Sequence, residues 1–349
     1  MERIISYDEL PYGDGQSVYL RKETDPRLLV SLIAKRYRVV DHVLDTDEST
    51  IYLTGARQVY GYKTAEEYRQ SLDSSIQDSL ARSGIRKPKT TKFSIKALRE
   101  HKYKLPFVLK NETLNGGKEK FLIQTEEDYE NLLSSCEFLL NRELFFLTPF
   151  KQDDLERLIN YDLYLNTNFS VQEYIPTPSK YNTTVRLLTT PADELIYGAL
   201  KYKEPGELKD TTSMLGYLLT KLYPLSTPSI VSNTVRGGRN VLLGASKYPN
   251  IEKSLLQSHD INSTAFQKLV QATKEVHQEY QDQLGIICGF DYIYDREREQ
   301  WFLLEYHDKP MVGDYSRRQG IRYRTTEEKE TADGRVRATA LSLTLKKTR

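Results

Sequence analysis

Cysteine is nearly absent from this chain. Its 349 residues include two, Cys136 and Cys288, far apart and in no CxxC spacing. That excludes a disulfide framework and a cysteine zinc knuckle, and it fits a reducing, cytoplasmic setting. No apolar run approaches the ~20 residues a membrane helix needs, so no membrane partner is expected. The opening residues, Met1 to Leu10, carry charge with no long apolar stretch behind them, so no signal peptide is expected. Excess charge is missing too: 50 Lys and Arg face 49 Asp and Glu, a net charge of +1. A polyanion such as nucleic acid coating the whole surface is therefore not the expected partner. There is no internal repeat and no low-complexity tract. The GxxxxGK[ST] phosphate loop is absent as well.

What is present is enough for a sizeable core: 38% of residues are hydrophobic and 28% charged. The length suggests two or three lobes at ~100–200 residues each. The first 60 residues predict two or three short strands and a helix. Gly13, Asp14 and Gly15 read as a turn. Tyr68, Leu72, Ile76 and Leu80 recur every four residues, predicting a helix over 64–82. Thr64 and Glu67 form its capping box, and Gly84 and Pro88 follow its end. A helix over 94–103 is expected, then strands at 105–110 and 121–123, a helix over 126–140 and a strand at 170–175. Strands at 184–188 and 194–201 precede a long helix over 266–283. Strands at 286–294 and 301–307 flank the charged turn 295–300 and read as a hairpin. A closing helix is expected over 336–345. The pattern is α+β.

The hairpin carries the chemistry. Symmetric pairing about its turn sets Tyr294 opposite Phe302, Ile293 opposite Leu303 and Asp291 opposite Glu305. Opposed carboxylates between apolar neighbours are unfavourable unless a cation joins them. Oxygen ligands of this kind suit Mg²⁺, whose other ligands are waters and substrate phosphates. His307 lies on the same strand face, two residues beyond Glu305. The competing reading leaves one carboxylate pointing to solvent and His307 as a plain strand-end residue. Gly116 and Gly117, followed by Lys118 and Lys120, could cradle phosphate or form an ordinary turn. Lys110 ends an apolar strand. Arg186 sits between apolar neighbours, where an arginine is usually paired with an anion. A second glycine pair, Gly237 and Gly238, lies between Arg236 and Arg239 and also suits anions.

In this order, these pieces resemble the ATP-grasp superfamily of carboxylate–amine ligases, in the branch containing glutathione synthetase and the glutamate ligase that modifies a ribosomal protein. The resemblance spans about 75–320. It runs from Gly84, Ile85 and Pro88 through Lys110, the glycine loop, Gln172 to Ile175, Arg186, and Asn233 with Gly237 to Arg239. It ends at Asp291, Glu305 and His307. The stretch 203–230 matches poorly.

The resemblance implies an ATP-grasp fold, with two α+β lobes gripping ATP and a short N-terminal α/β lobe. The implied divisions are 1–90, 91–175 with the glycine loop, and 176–349 with the metal and substrate site. It also implies an ADP-forming ligase that makes an amide or peptide bond through an acyl phosphate, on an amino acid, short peptide or natural-product precursor. Lys110, Gly116, Gly117 and Lys118 would bind ATP phosphates. Gln172, Glu173, Tyr174 and Ile175 would hold adenine, Glu173 through its backbone. Arg186, Lys201 and Asn233 would serve catalysis, and Arg236, Gly237, Gly238 and Arg239 the substrate. Asp291, Glu305 and His307 would hold Mg²⁺, or Mn²⁺ in its place. The family's last metal motif is Glu-x-Asn, so His307 departs from it. The partners implied are small carboxylate and amine substrates, with a homodimer a common state of similar enzymes. The alternatives are an ATP-grasp small-molecule kinase and a non-catalytic nucleotide-binding regulator.

Overall fold

The computed structural model describes residues 6–20, 26–41, 50–53, 65–98, 100, 102–111, 119–141, 169–177, 181–190, 194–204, 206, 214–226, 239–243, 249–307, 334–343 and 345. In chain order the elements are β1 (Ser17–Tyr19), α1 (Pro26–Ala34), β2 (Arg38–Val40), β3 (Ile51–Tyr52), α2 (Ala65–Arg82), β4 (Thr90–Phe93), α3 (Ile95–Leu98), β5 (Phe107–Asn111), β6 (Lys120–Ile123), α4 (Glu126–Leu140) and β7 (Phe169–Glu173). They continue with β8 (Asn182–Thr190), β9 (Glu194–Lys203), α5 (Met214–Tyr217), β10 (Arg239–Leu243), α6 (Pro249–Ser258), α7 (Ser263–Glu279), α8 (Gln281–Leu284), β11 (Cys288–Asp295) and β12 (Gln300–His307). Residues 334–343 are helical. The α+β class expected from the sequence is the class observed.

The chain divides into two compact units. The first comprises Met1–Lys87, Val185–Leu200 and Val241–Arg349; the second comprises Pro88–Thr184 and Lys201–Asn240.

In the first unit, β1 lies between β2 and β3 in a parallel three-stranded sheet. Val18, Leu28, Leu32 and Leu53 join Leu188, Ile286, Val336 and Leu341 in one core. The expected turn is present: Gln16 N–H donates to the Gly13 carbonyl at 2.7 Å, and Gly15 adopts φ +87°. A Cβ on Gly13 would fall 2.3 Å from the Tyr37 ring, so that position excludes a side chain.

Helix α2 ends as Gly84 predicts. The Gly84 and Ile85 amides donate to the Ala81 and Leu80 carbonyls, and Gly84 is left-handed at φ +78°. Buried Leu80 and Ile85 complete this Schellman arrangement. Arg86 then runs along the hairpin, its amide donating to the Trp301 carbonyl and its carbonyl accepting from Leu303 N–H. This segment covers the outer edge of β12, which would otherwise present unpaired backbone groups. The expected cap residue Thr64 lies outside the described residues.

A five-stranded sheet has the order β10-β9-β8-β11-β12. The hairpin follows symmetric pairing only in its inner half. Asp291 faces Glu305 as expected, but Tyr292 faces Leu303, Ile293 faces Phe302 and Tyr294 faces Trp301. The expected pairs Tyr294–Phe302 and Ile293–Leu303 are therefore corrected by one residue. The shift falls between Asp291 and Tyr292, where Leu304 is the extra residue of a bulge on β12.

In the second unit, the antiparallel sheet β4-β7-β5-β6 turns one face to a core of Phe107, Leu109, Phe121, Ile123 and Phe169. Helix α4 covers it through Leu132, Cys136 and Leu139, with Leu215 and Leu219 beside them. The helix expected over 94–103 is described as α3, residues Ile95–Leu98. Strand β10 and helix α6 were not anticipated.

Candidate functional site

Alternation along β8, β11 and β12 sorts their side chains onto two faces. Leu187 and Phe290 are paired, as are Val185 and Tyr292, and Cys288 pairs with Thr189. These lie under α7, whose buried stripe is Phe266, Leu269, Ala272, Thr273, Val276 and His277. Two stripe positions are polar, and each meets a polar group on the sheet. Thr273 Oγ1 lies 2.9 Å from the Tyr292 hydroxyl. His277 Nδ1 lies 2.8 Å from Thr189 Oγ1, and its Nε2 lies 2.5 Å from the Gly285 carbonyl oxygen.

The opposite face carries a transverse row. Arg186 on β8 pairs with Asp291 on β11, which pairs with Glu305 on β12. The Arg186 guanidinium grips Asp291 with two parallel donors: Nε to Oδ1 at 2.7 Å, and Nη2 to Oδ2. This is the anion the sequence required of Arg186, and its identity places the arginine's charge on the expected metal ligand. One position along, Leu188, Gly289 and His307 form the next row. Gly289 has no side chain, so nothing on β11 separates His307 from Asp291 on that face. The His307 Nε2 lies 3.5 Å from Glu305 Oε1 and 3.8 Å from Asp291 Oδ2. That nitrogen is buried and makes no hydrogen bond.

Burial alone would push the imidazole down, but the Asp291 and Glu305 carboxylates beside it outweigh burial and raise it to about 9. Without another cation, His307 is thus the positive charge the two carboxylates gather.

The donor atoms of Asp291, Glu305 and His307 lie within 4.8 Å of one another. Two ligands at ~2.2 Å from one ion, at right angles, are about 3 Å apart. The contacts at 3.5 and 3.8 Å are therefore slightly open versions of adjacent coordination positions. Together with the orphaned Nε2, this spacing fits a divalent cation.

The remaining expected residues are distributed as follows. In the second unit, Lys110 pairs with both Lys120 and Ser170, and Gln172 pairs with Val108. These share the sheet face opposite the aromatic core, so two ammonium groups and the Gln172 amide lie on one surface. The Glu173 amide donates to the Lys89 carbonyl at 2.8 Å, so backbone contact to a donor on a ligand falls to its carbonyl. Tyr174 is half-buried and its phenol is raised by that burial. Ile175 is buried. Lys201 is half-buried in β9, and Arg239 is exposed at the start of β10. Gly116, Gly117, Lys118, Asn233, Arg236, Gly237 and Gly238 lie outside the described residues. Among the described residues, no helix is long and apolar enough to cross a membrane.

The Thr189–His277–Gly285 bridge was missed by sequence reasoning. Its only signal was a histidine on an apolar helical stripe, and its partners come from two distant segments.

No protein-family model and no curated protein matches the chain. Among solved structures it is similar to the ATP-grasp ligase PsnB complexed with minimal precursor, at TM-score 0.39 and 12% identity, over 94% of this chain and 79% of that one. It is similar to the D-alanine–D-alanine ligase from Bacillus anthracis complexed with ATP, at TM-score 0.39 and 9% identity, over 95% and 97%. For the D-cycloserine synthetase DcsG the values are 0.38 and 11%, over 94% and 99%.

Proposed function

We propose that the chain is an ATP-dependent carboxylate–amine ligase of the ATP-grasp type, acting on an amino acid, short peptide or natural-product precursor. The observation that carries this reading is the cross-strand row Arg186–Asp291–Glu305 with His307 beside it. It is supported by the ordered set of sequence features from Lys110 to His307.

In this reading a substrate carboxylate oxygen attacks the γ-phosphorus of ATP, the bond to the bridging oxygen breaks, and ADP leaves. The resulting acyl phosphate is attacked at carbon by an amine. Phosphate departs, the amine loses a proton, and an amide remains. Positioning and charge neutralisation supply most of the catalysis for phosphoryl transfer. Lys110, Lys118 and Lys120 serve as point charges for the phosphates. Gln172 to Ile175 hold the adenine. Asp291, Glu305 and His307 would hold a divalent ion, which when bound screens charge on the phosphate oxygens. Arg186 fixes the orientation of Asp291 through its two parallel donors. Lys201 and Asn233 assist at the acyl phosphate, and Arg236 to Arg239 contact the substrate. No protein nucleophile is required. Cys288 is fully buried and Cys136 is both buried and pushed up to about 12, so neither supplies one.

The test is ADP release from ATP over a panel of amino acids and small carboxylates, with hydroxylamine present. A hydroxamate formed from one carboxylate is the expected result. A phosphorylated alcohol with no hydroxamate would replace the ligase by a kinase. ATP binding with no turnover on any panel member would favour a regulatory protein.

A further inference from the structure

The donor set at the inner end of the β11–β12 hairpin differs from the one a magnesium ion selects. Mg²⁺ is small and hard, takes oxygen donors and sheds water reluctantly. Imidazole nitrogen is a softer donor that suits first-row transition ions, and affinity for such sites rises from Mn²⁺ onward along that series. We propose that His307, with Asp291 and Glu305, makes this a site for a first-row transition dication, Mn²⁺ or a later member, in preference to Mg²⁺. The inference rests on the metal-dependent reading above and concerns which ion the site takes.

Three observations carry it. The first is placement. The register sets His307 opposite Gly289, so its ring can lean over β11 toward Asp291. Its Nε2 stands 3.5 Å from Glu305 Oε1 and 3.8 Å from Asp291 Oδ2, slightly wider than adjacent ligands around one ion.

The second is the unsatisfied nitrogen. His307 Nε2 is buried and has no hydrogen-bond partner. Its nearest acceptors are the two carboxylates at 3.5 and 3.8 Å, too far for a good hydrogen bond. A metal ion that displaces the proton bonds this nitrogen directly and releases the proton to water, whereas a hydrated Mg²⁺ contacting the carboxylates alone would leave it without a bond.

The third is charge. Arg186 pairs with both oxygens of Asp291. Two carboxylates and one guanidinium leave a single net negative charge at the site. A hard ion depends most on ligand charge, and here that charge is half cancelled. The bond to a neutral nitrogen donor needs no such charge and is stronger for a transition ion.

The experiment uses the full chain, stripped of metal and free of nucleotide. Mn²⁺ alone is titrated in, free ion is followed by electron paramagnetic resonance, and Mg²⁺ is then added as competitor. The expected result is binding of Mn²⁺ about tenfold or more tighter than Mg²⁺, with nitrogen modulation from a bound imidazole in the pulsed spectrum. His307→Asn exchanges the nitrogen for an amide oxygen. It should abolish the nitrogen modulation and weaken Mn²⁺ binding about tenfold while leaving Mg²⁺ binding as strong or stronger. Equal affinities for the two ions, or bound Mn²⁺ with no nitrogen modulation in the unaltered chain, would overturn the proposal. If H307N does not fold, the pulsed spectrum of the unaltered chain decides alone. Nitrogen-coupled Mn²⁺ with no ligase turnover would remove the ligase reading and leave this one. Turnover with Mg²⁺ and no preference for Mn²⁺ would do the reverse.

Discussion

The Arg186 guanidinium and the Asp291 carboxylate form a two-pronged ion pair across adjacent strands, with both side chains largely withdrawn from water (17% and 8% exposed). A pair so placed is a weak source of net stability, because desolvation offsets attraction. Breaking it by removing one partner is another matter, since a buried charge is left alone.

Arg186→Met should therefore lower stability by ~3–5 kcal/mol in urea unfolding at neutral pH. Arg186→Lys should fall between, because an ammonium cannot reproduce the parallel geometry. Adding Asp291→Leu to Arg186→Met should recover most of the loss. A single-variant loss below ~1 kcal/mol would show that water or Glu305 and His307 rearrange to replace the arginine.

The contact between Thr273 and Tyr292 has a fixed direction. Thr273 Oγ1 lies 2.7 Å from the Leu269 carbonyl, which can only accept, so the threonine proton points there. The Tyr292 hydroxyl must then donate to Thr273 Oγ1. Thr273→Val leaves that hydroxyl buried without an acceptor and should cost ~1–3 kcal/mol. Tyr292→Phe in the same background should restore part of it. A double-mutant cycle with no coupling would contradict the assigned donor.

Asp128 ties two segments of the second unit. Its Oδ2 accepts from the Gln124 and Thr125 amides, closing the capping box of α4. Its Oδ1 accepts from the Ser226 amide at 2.7 Å and the Ser226 hydroxyl at 2.9 Å. Burial works to raise this carboxyl, but the hydrogen bonds from Ser226 and Thr125 outweigh it and hold it below its ordinary value. Asp128→Ala should cost about 3 kcal/mol at pH 7. A depressed carboxyl contributes stability above its unfolded value, near ~3.9, and loses it as pH falls through the folded value. The gap between the parent and Asp128→Ala melting temperatures should therefore shrink below about pH 4. A gap that is constant down to pH 2 would show that the ionised form is not what matters.

Local pattern made some of this legible and distance in sequence hid the rest. The four-residue recurrence of Ile76 and Leu80, with Gly84 after it, located the end of α2, because both signals act within one helical turn. Helix α4 was read over its full length for the same reason. The opposition of Asp291 and Glu305 was legible from the strand ends, and that register holds only beyond the bulge; between the bulge and the turn it is off by one residue. The Leu304 bulge was not, since nothing in the strand composition marks the extra residue. That Arg186 needs an anion follows from its apolar neighbours. That the anion is Asp291 depends on β8 pairing with β11 across about a hundred residues, a choice made by the packing of the whole sheet.

His277 supplies a pH dependence whose sign its partners decide. The Gly285 carbonyl only accepts, so Nε2 carries the proton and Nδ1 accepts from the Thr189 hydroxyl. Both nitrogens are thereby satisfied in the neutral ring, and a second proton on Nδ1 would break the Thr189 bond inside the core. Burial is the main cause that lowers the ring to about 4, and the backbone groups of Gly285 and Thr189 only partly oppose it. The unfolded chain takes up a proton near ~6.5, while the folded chain waits until about 4, so stability falls as pH drops through that window. The loss approaches ~3 kcal/mol by pH 4. His259 is also lowered, by burial, and adds a change of the same sign. The informative quantity is thus the difference between the parent chain and His277→Gln, followed by urea unfolding from pH 7.5 to pH 4. The variant should start less stable at pH 7.5, and the difference should narrow as the parent weakens. A difference that does not change with pH would mean that the folded chain protonates His277 as readily as the unfolded one, and that the Thr189 bond does not hold the ring neutral.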